Sequence, residues 1–286
     1  MKIAIIGSGI AGLTCAWRLA AQHQVTLFEA ASTPGGHTAT VDIATPQGTW
    51  AIDTGFIVYN DRTYPHFIGL LSELGIRGQK TQMSFSVHNP QSGLEYNGHS
   101  LSSLFAQRRN LLKPAFWGLL REIVRFNRLA KQALGGAFDP AATLQTFLER
   151  HRFSPFFARH YILPMGAAIW SSSLQEMRRF PLALFLRFFD NHGLLDIRQR
   201  PQWYVVPGGS REYVRALLAR SGDRLSLRLN TPVQNVIRGQ DGVTLQLATG
   251  EEHFDQAIFA CHSADALAML AEPTVAEREI LGDIGW

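Results

Sequence analysis

Residues 2–12, Lys2-Ile3-Ala4-Ile5-Ile6-Gly7-Ser8-Gly9-Ile10-Ala11-Gly12, decide the fold. The apolar run Ile3–Ile6 has the length of a short buried strand, and it leads directly into a Gly-x-Gly-x-x-Gly turn. Helical spacing follows in Leu13, Ala16, Trp17, Leu19 and Ala20, then a second strand, Val25-Thr26-Leu27-Phe28, that ends at Glu29. The pattern is a β-α-β unit with glycines at the first strand–helix turn and an acid at the tip of the second strand. In such a unit Gly7 permits the tight turn, Gly9 lets a pyrophosphate approach the backbone, and Gly12 lets the helix pack close to the strand. The helix N-terminus, with Ile10 and Ala11 in its first turn, offers unpaired N–H groups and a positive dipole end to phosphates. Glu29 sits where a carboxylate accepts hydrogen bonds from an adenosine ribose. The same charge would repel a 2′-phosphate and argues against NADP. Glycine-rich turns are common alone; the strand, the helix and the spaced acid together point to a dinucleotide.

The pattern continues past the acid through Ala30-Ala31-Ser32-Thr33-Pro34 into Gly35-Gly36-His37-Thr38. This run resembles the long N-terminal signature of FAD-dependent oxidoreductases of the flavin amine oxidase and phytoene desaturase type. In that family a double glycine follows the β-α-β unit and approaches the FAD pyrophosphate, so the resemblance moves the expected ligand from NAD to FAD. The family often has arginine after the glycine pair; here it is His37, whose imidazole can donate one hydrogen bond. Trp50-Ala51-Ile52-Asp53-Thr54-Gly55 resembles the family's next cofactor-contacting strand, and Thr231-Pro232-Val233-Gln234-Asn235-Val236 resembles the strand whose valine backbone meets the adenine. The cofactor contacts that the resemblance implies are Gly7, Gly9, Ile10, Ala11, Gly12, Glu29, Ala30, Gly35, Gly36, His37, Thr38, Thr54, Gly55 and Val233.

A narrower resemblance, to bacterial NAD/FAD-binding amine-oxidase-like flavoproteins, is carried by Asp53–Asn60, Pro164–Trp170 and Val206-Pro207-Gly208-Gly209-Ser210. It places Trp170, Gly208 and Gly209 near the flavin or the substrate. Such proteins are frequently encoded beside lipid methyltransferases, which implies an acyl-lipid substrate.

Composition agrees with a globular chain. The 286 residues suffice for one or two domains with a sizeable core; 46% are hydrophobic and only 17% charged, which excludes disorder. A net charge of +4 gives no general case for nucleic acid as a partner. Cys15 and Cys261 have no metal or redox spacing; both read as small core hydrophobes in a reducing compartment. Lys2 before an apolar stretch mimics a signal peptide, but cleavage there would destroy the glycine turn. No run reaches the roughly 20 apolar residues of a membrane span. A cytoplasmic protein is expected, with peripheral contact to the inner face of the membrane as an option.

The expected fold class is α/β: a split Rossmann-like FAD-binding domain, residues 1–81 and 206–286, with a mostly helical substrate domain inserted at 82–205. Near 82–100, Met83, Phe85 and Val87 alternate as a strand, with turns at Asn89-Pro90 and Asn97-Gly98. Leu101–Leu134 is helical and basic, Gly135-Gly136 breaks it, and Pro140 starts another helix. Strands return at Leu225–Leu229, Val233–Ile237 and Val243–Leu247, and Gln256–Ala260 reads as a buried parallel strand.

The basic stretch interleaves Arg108, Arg109, Lys113, Arg121, Arg125, Arg128 and Lys131 with apolar residues. It can be a surface helix with snorkelling arginines or a helix lying on an anionic membrane. Downstream, Phe153, Phe156, Phe157, Tyr161, Trp170, Phe180, Phe185, Phe188 and Phe189 are mostly core, yet their density favours an apolar pocket. Catalytic residues are not assignable: there is no Ser/His/Asp order and no metal-ligand cluster, and the histidines are scattered. After Ala260 the chain lacks the C-terminal glycine turn expected of the family. A fragment, or a non-catalytic dinucleotide-binding remnant or partner subunit, therefore stands as the alternative to an FAD-dependent oxidoreductase acting on a hydrophobic, acyl-lipid substrate.

Overall fold

The computed structural model describes residues 1–98, 100–137, 139–197 and 200–284. The first half of the element order is β1 (Lys2–Ile6), α1 (Ile10–Ala20), β2 (Gln24–Phe28), β3 (Thr40–Thr45), β4 (Gly48–Asp53), β5 (Tyr59–Asn60), α2 (Pro65–Glu73), β6 (Gln79–Thr81), β7 (Ser86–Asn89), β8 (Leu94–Asn97), α3 (Leu101–Leu104) and α4 (Pro114–Leu134). It continues with α5 (Leu144–Arg150), α6 (Pro155–Phe157), α7 (Leu163–Trp170), α8 (Leu174–Arg179), α9 (Leu182–Asn191), β9 (Trp203–Val205) and α10 (Arg211–Ser221). The last elements are β10 (Leu225–Arg228), β11 (Val233–Gly239), β12 (Gly242–Leu247), β13 (Gly250–Phe254), β14 (Gln256–Phe259), α11 (Ser263–Met269) and α12 (Val275–Gly282).

Two units result. Unit 1 comprises Met1–Val58, His66–Gln79 and Val205–Trp286; unit 2 comprises Tyr59–Pro65 and Lys80–Tyr204. Residues 59–65, expected with the nucleotide-binding part, belong to unit 2, where β5 pairs antiparallel with β9.

In unit 1 the N-terminal apolar run forms an inner strand of a parallel sheet of order β10-β2-β1-β14. β1 meets β2 from Lys2↔Gln24 to Ile6↔Phe28, and β14 from Ile3↔Gln256 to Ile6↔Phe259. Ile3–Ile6 are all buried, as a continuous apolar run in a two-sided parallel strand requires. One cluster joins Ala4, Ile6 and Phe28 to Val233, Val236, Leu245, Leu247 and Phe254 of the antiparallel β11-β12-β13 sheet. The buried side of α1 is Gly12, Leu13, Ala16 and Ala20. β14 is parallel as expected, but its side chains are half-buried or exposed, because it is an edge strand with a neighbour on one side only.

The β3–β4 hairpin sets Val41 opposite Ile52 and Ile43 opposite Trp50, and all four side chains are exposed. On its other face the Arg211 guanidinium donates to both Asp42 oxygens at 2.7 Å, which ties the hairpin to the start of α10.

Unit 2 is mostly helical around a core that includes Phe116, Leu119, Phe126, Phe147, Phe157, Ile162, Phe185 and Phe189. Pro114 opens α4, where its missing N–H costs nothing, and the helix ends at Leu134 before Gly135. Pro140 does not start a helix; α5 begins at Leu144, with Thr143 and Thr146 forming a reciprocal cap. Met83 and Phe85 precede β7, which starts at Ser86. Cys15 and Cys261 are half-buried, free thiols.

Candidate functional site

The carboxyl ends of the parallel strands in unit 1 gather the sequence-selected residues, as open α/β sheets do with their ligands. Gly7 (φ +101) donates its N–H to Phe28 O at 2.9 Å. A Cβ on Gly12 would lie 1.9 Å from the Gly7 carbonyl oxygen, so only glycine lets α1 pack against this turn. Gly9 differs: a Cβ there would meet nothing within 4 Å. It is the N-cap of α1, no side chain caps the helix, and no acid lies in the first turn. The first intrahelical bond of the turn is Leu13 N to Gly9 O, 2.9 Å. The preceding amides, among them Ile10, Ala11 and Gly12, therefore have no partner within the helix.

The second glycine pair folds back over the first. Gly35 N–H donates to Ser8 O at 3.0 Å and lies 3.1 Å from Ser8 Oγ, while a Cβ on Gly36 would sit 3.3 Å from Gly9 Cα. The backbone of the second motif thus approaches Gly9 at Gly36. Ile10, Ala11, Ala30, Gly36, His37 and Thr54 are exposed.

Glu29 is bound to the chain as well as aimed at a ligand. Its Oε2 accepts from Ser8 N at 3.0 Å and Ser8 Oγ at 2.5 Å, and its Oε1 accepts from Ala31 N at 2.8 Å. Burial alone would push its pKa up, but hydrogen bonds from the Ser8 hydroxyl and from the Ala31, Ser8 and Ala30 amides outweigh burial and hold it below the ordinary 4.5. A carboxylate has about four acceptor positions, so a ribose hydroxyl would share Glu29 with donors of its own chain.

Other expected contacts have structural duties. The Thr38 hydroxyl and the Tyr213 phenol share a buried hydrogen bond of 2.7 Å. A Cβ on Gly55 would fall 2.1 Å from His37 O, so packing against residue 37 already accounts for that glycine. Thr54 N–H donates to Ala39 O at 2.9 Å. Val233 opens β11 with a buried side chain. Gly209 packs against Thr40 and Asp53, and Gly208 against Glu212. Trp170, in unit 2, packs at 4.5 Å from Phe180 and 4.8 Å from Phe188, measured between ring centroids.

Two residues that sequence reasoning passed over hold this region together. Ser8, fully buried, links Glu29 to Gly35. Asp53 Oδ1 accepts from Thr40 Oγ1 at 2.6 Å, from Ser210 N at 2.8 Å and from Ser210 Oγ at 2.8 Å, binding β3 and β4 to the start of α10. Their signal was positional: Ser8 lies between the motif glycines and Asp53 directly before Thr54-Gly55. Burial, reinforced by the Asp265 charge, pushes the Cys261 thiol up, which disfavours the thiolate form.

The bare N-terminus of α1, the open face of Gly9 and the carboxylate of Glu29 at the tip of β2 fit a pyrophosphate linked to a ribose. Fold and site together define a dinucleotide-binding α/β protein with the split Rossmann-like arrangement of FAD-binding enzymes. The sequence profile described as flavin containing amine oxidoreductase matches residues 10–284. The chain belongs to that family, whose cofactor is FAD.

A Mycobacterium tuberculosis protein designated AofH, by designation a flavin-containing monoamine oxidase, is 25% identical over 96% of this chain and 59% of its own length. The structure of cyclohexylamine oxidase from Brevibacterium oxydans superposes with a TM-score of 0.70 at 19% identity, over 98% of this chain and 62% of that one. A fatty acid isomerase from P. acnes that produces CLA gives 0.62 at 16%, over 98% and 63%. The chain spans about three fifths of the length of these relatives.

Proposed function

We propose that this chain holds the FAD and part of the substrate site of an FAD-dependent oxidoreductase, which oxidises a hydrophobic, acyl-lipid substrate by hydride transfer to the flavin. The observation that carries the reading is the uncapped α1 N-terminus beneath Gly35-Gly36, with Gly9 facing open space. When bound there, FAD supplies a two-electron acceptor. The chain's own residues do the holding: the α1 amides and the backbone at Gly36 take the pyrophosphate, and Glu29 takes a ribose hydroxyl. Family membership across residues 10–284 favours this over a non-catalytic remnant.

For the substrate class, support comes from unit 2 itself. It carries a groove of about 460 Å³ lined by Ala115, Gly118, Leu119 and Phe156, with Arg121, Glu122 and Ser154 supplying polar groups. Burying a chain contributes about 0.8 kcal/mol per methylene, so an acyl tail can bind an apolar surface without specific polar contacts. A second reading, an amine substrate, draws on the designations of AofH and cyclohexylamine oxidase.

The first test is the absorption spectrum of the purified protein, where non-covalent FAD is expected and Gly9→Val should abolish it. That variant is informative because Gly9 is extended (φ −63, ψ 179), a conformation valine accepts, and a Cβ there would meet nothing within 4 Å. Under anaerobic conditions, long-chain acyl lipids should then bleach the bound flavin and short primary amines should not. Bleaching by amines alone replaces the lipid reading with the amine one, and flavin retained in Gly9→Val overturns the cofactor placement.

A further inference from the structure

We propose that residues 108–117 and the outward stripe of α4 form a docking surface for an anionic lipid bilayer. The 3₁₀ turn Arg108–Leu112 ends in a pair of bared leucines, Leu112 at 87% exposure and Leu111 at 44%. Trp117, 46% exposed, is fixed beside them, with its indole N–H donating to the Leu111 carbonyl at 2.9 Å. A single exposed leucine needs no explanation. Three large apolar groups held at one turn do, because the core uses other residues: Phe116, Leu119, Phe126 and Ala130 form the inner side of α4.

Charge completes the pattern. Arg108, Arg109 and Lys113 bracket the leucines in sequence, and at helical spacing from Trp117 the outward positions of α4 are Arg121, Val124 (53% exposed), Arg128 and Lys131. Lys131 is bound to Asp196 at 2.5 Å, and Arg109 donates to Gly93 O. Among the described residues Arg108, Lys113, Arg121 and Arg128 have no acidic partner. The one acid of α4, Glu122, is turned to Ser154, whose amide and hydroxyl it accepts at 2.8 and 2.5 Å. Within α4 no acidic side chain lies on the stripe, and Asp196 meets it only at its Lys131 end.

Cations around protruding Leu and Trp are what an interface-bound element requires: the apolar groups enter the headgroup boundary while the cations meet anionic lipid. A second copy of the chain would bring like charges together, and a nucleic acid would have no use for Leu112. The inference concerns the surface of unit 2 alone and stands whether or not the substrate is a lipid.

The test is vesicle flotation of the purified full chain, with phosphatidylcholine alone and with one third phosphatidylglycerol. Binding is expected to the anionic vesicles only, weakening with salt as charges are screened. Leu112→Asp, on an exposed side chain, should lower partitioning tenfold or more. Arg108→Gln and Arg128→Gln should each lower it about fivefold, the equivalent of ~1 kcal/mol per charge. Circular dichroism and flavin content should be unchanged in all three. The proposal fails if wild type ignores anionic vesicles, if it binds neutral ones equally, or if the three variants bind like wild type. It also fails if Leu112→Asp turns a dimer into a monomer while vesicles are not bound, which would make the surface a contact between copies.

Discussion

The Glu29 carboxylate is held by Ser8 through amide and hydroxyl and by the amides of Ala31 and Ala30, so this residue builds the site before it binds anything. Its depressed pKa fixes the sign of a pH effect. The stabilisation is complete above the ordinary value of 4.5 and is lost as pH falls through the lower folded value. Glu29→Gln removes the charge while keeping one acceptor oxygen. The unfolding free energy of wild type relative to Glu29→Gln should therefore be constant above pH 4.5 and shrink below it, measured by denaturant melts across pH. A gap that widens toward acid would contradict the assigned hydrogen bonds. The acid at the strand tip was legible from the spacing of the β-α-β unit. Its occupation by Ser8 was not, because the x positions of a glycine motif carry no periodicity and a buried serine reads like any turn residue. Asp53 escaped for a similar reason, since its partner Ser210 is 157 positions away.

At the scale of elements, legibility followed hydrophobic pattern. β1, α1 and β2 carry strong apolar runs or a helical stripe and lie where the sequence places them. The stretch expected to be helical over 101–134 is instead broken into α3, a 3₁₀ turn at Arg108–Leu112 and α4. α4 starts only at Pro114, because a proline is accommodated at a helix's first turn and not inside it. β13, Gly250-Glu251-Glu252-His253-Phe254, has one large apolar residue and gave no strand signal; its partner β12 recruits it by pairing Leu245 with Glu252 and Val243 with Phe254. The start of α5 was misplaced to a proline because the Thr143–Thr146 cap is as short a signal as a turn. The junction between α4 and α6 offers a measurement. Ser154 caps α6 by accepting from Phe157 N at 3.1 Å and donates to Glu122 of α4. Ser154→Ala removes both bonds and should destabilise unit 2 by about 1–2 kcal/mol, read as a lower denaturant midpoint of the helical signal. An unchanged midpoint would mean that neither bond outweighs its solvated alternative.

For the whole molecule, the return of β-strands after Gly222 made a split domain legible, but a composition shift marks a boundary only coarsely, and residues 59–65 fell on the other side of it. The pairing of β1 with β14 has a consequence in time. Ala4 lies beside Ala257, 257 − 4 = 253 residues later in the chain. At roughly 5–20 residues per second of synthesis, the first strand leaves the ribosome about 13–50 s before its neighbour exists. Through that interval the glycine turn lacks the backbone of residue 260, against which Gly7 packs, and by its end every residue of unit 2 has been made. Cofactor capture should thus wait for β14. Nascent chains arrested after Ser221 should show helical structure but retain no flavin, and chains arrested with Asp283 clear of the exit tunnel should retain it. Flavin held by the shorter chains would show that β1, α1 and β2 suffice. Until β14 arrives, a cell making this protein carries a bare sheet edge on β1 that chaperones must guard, for longer than most small domains take to fold.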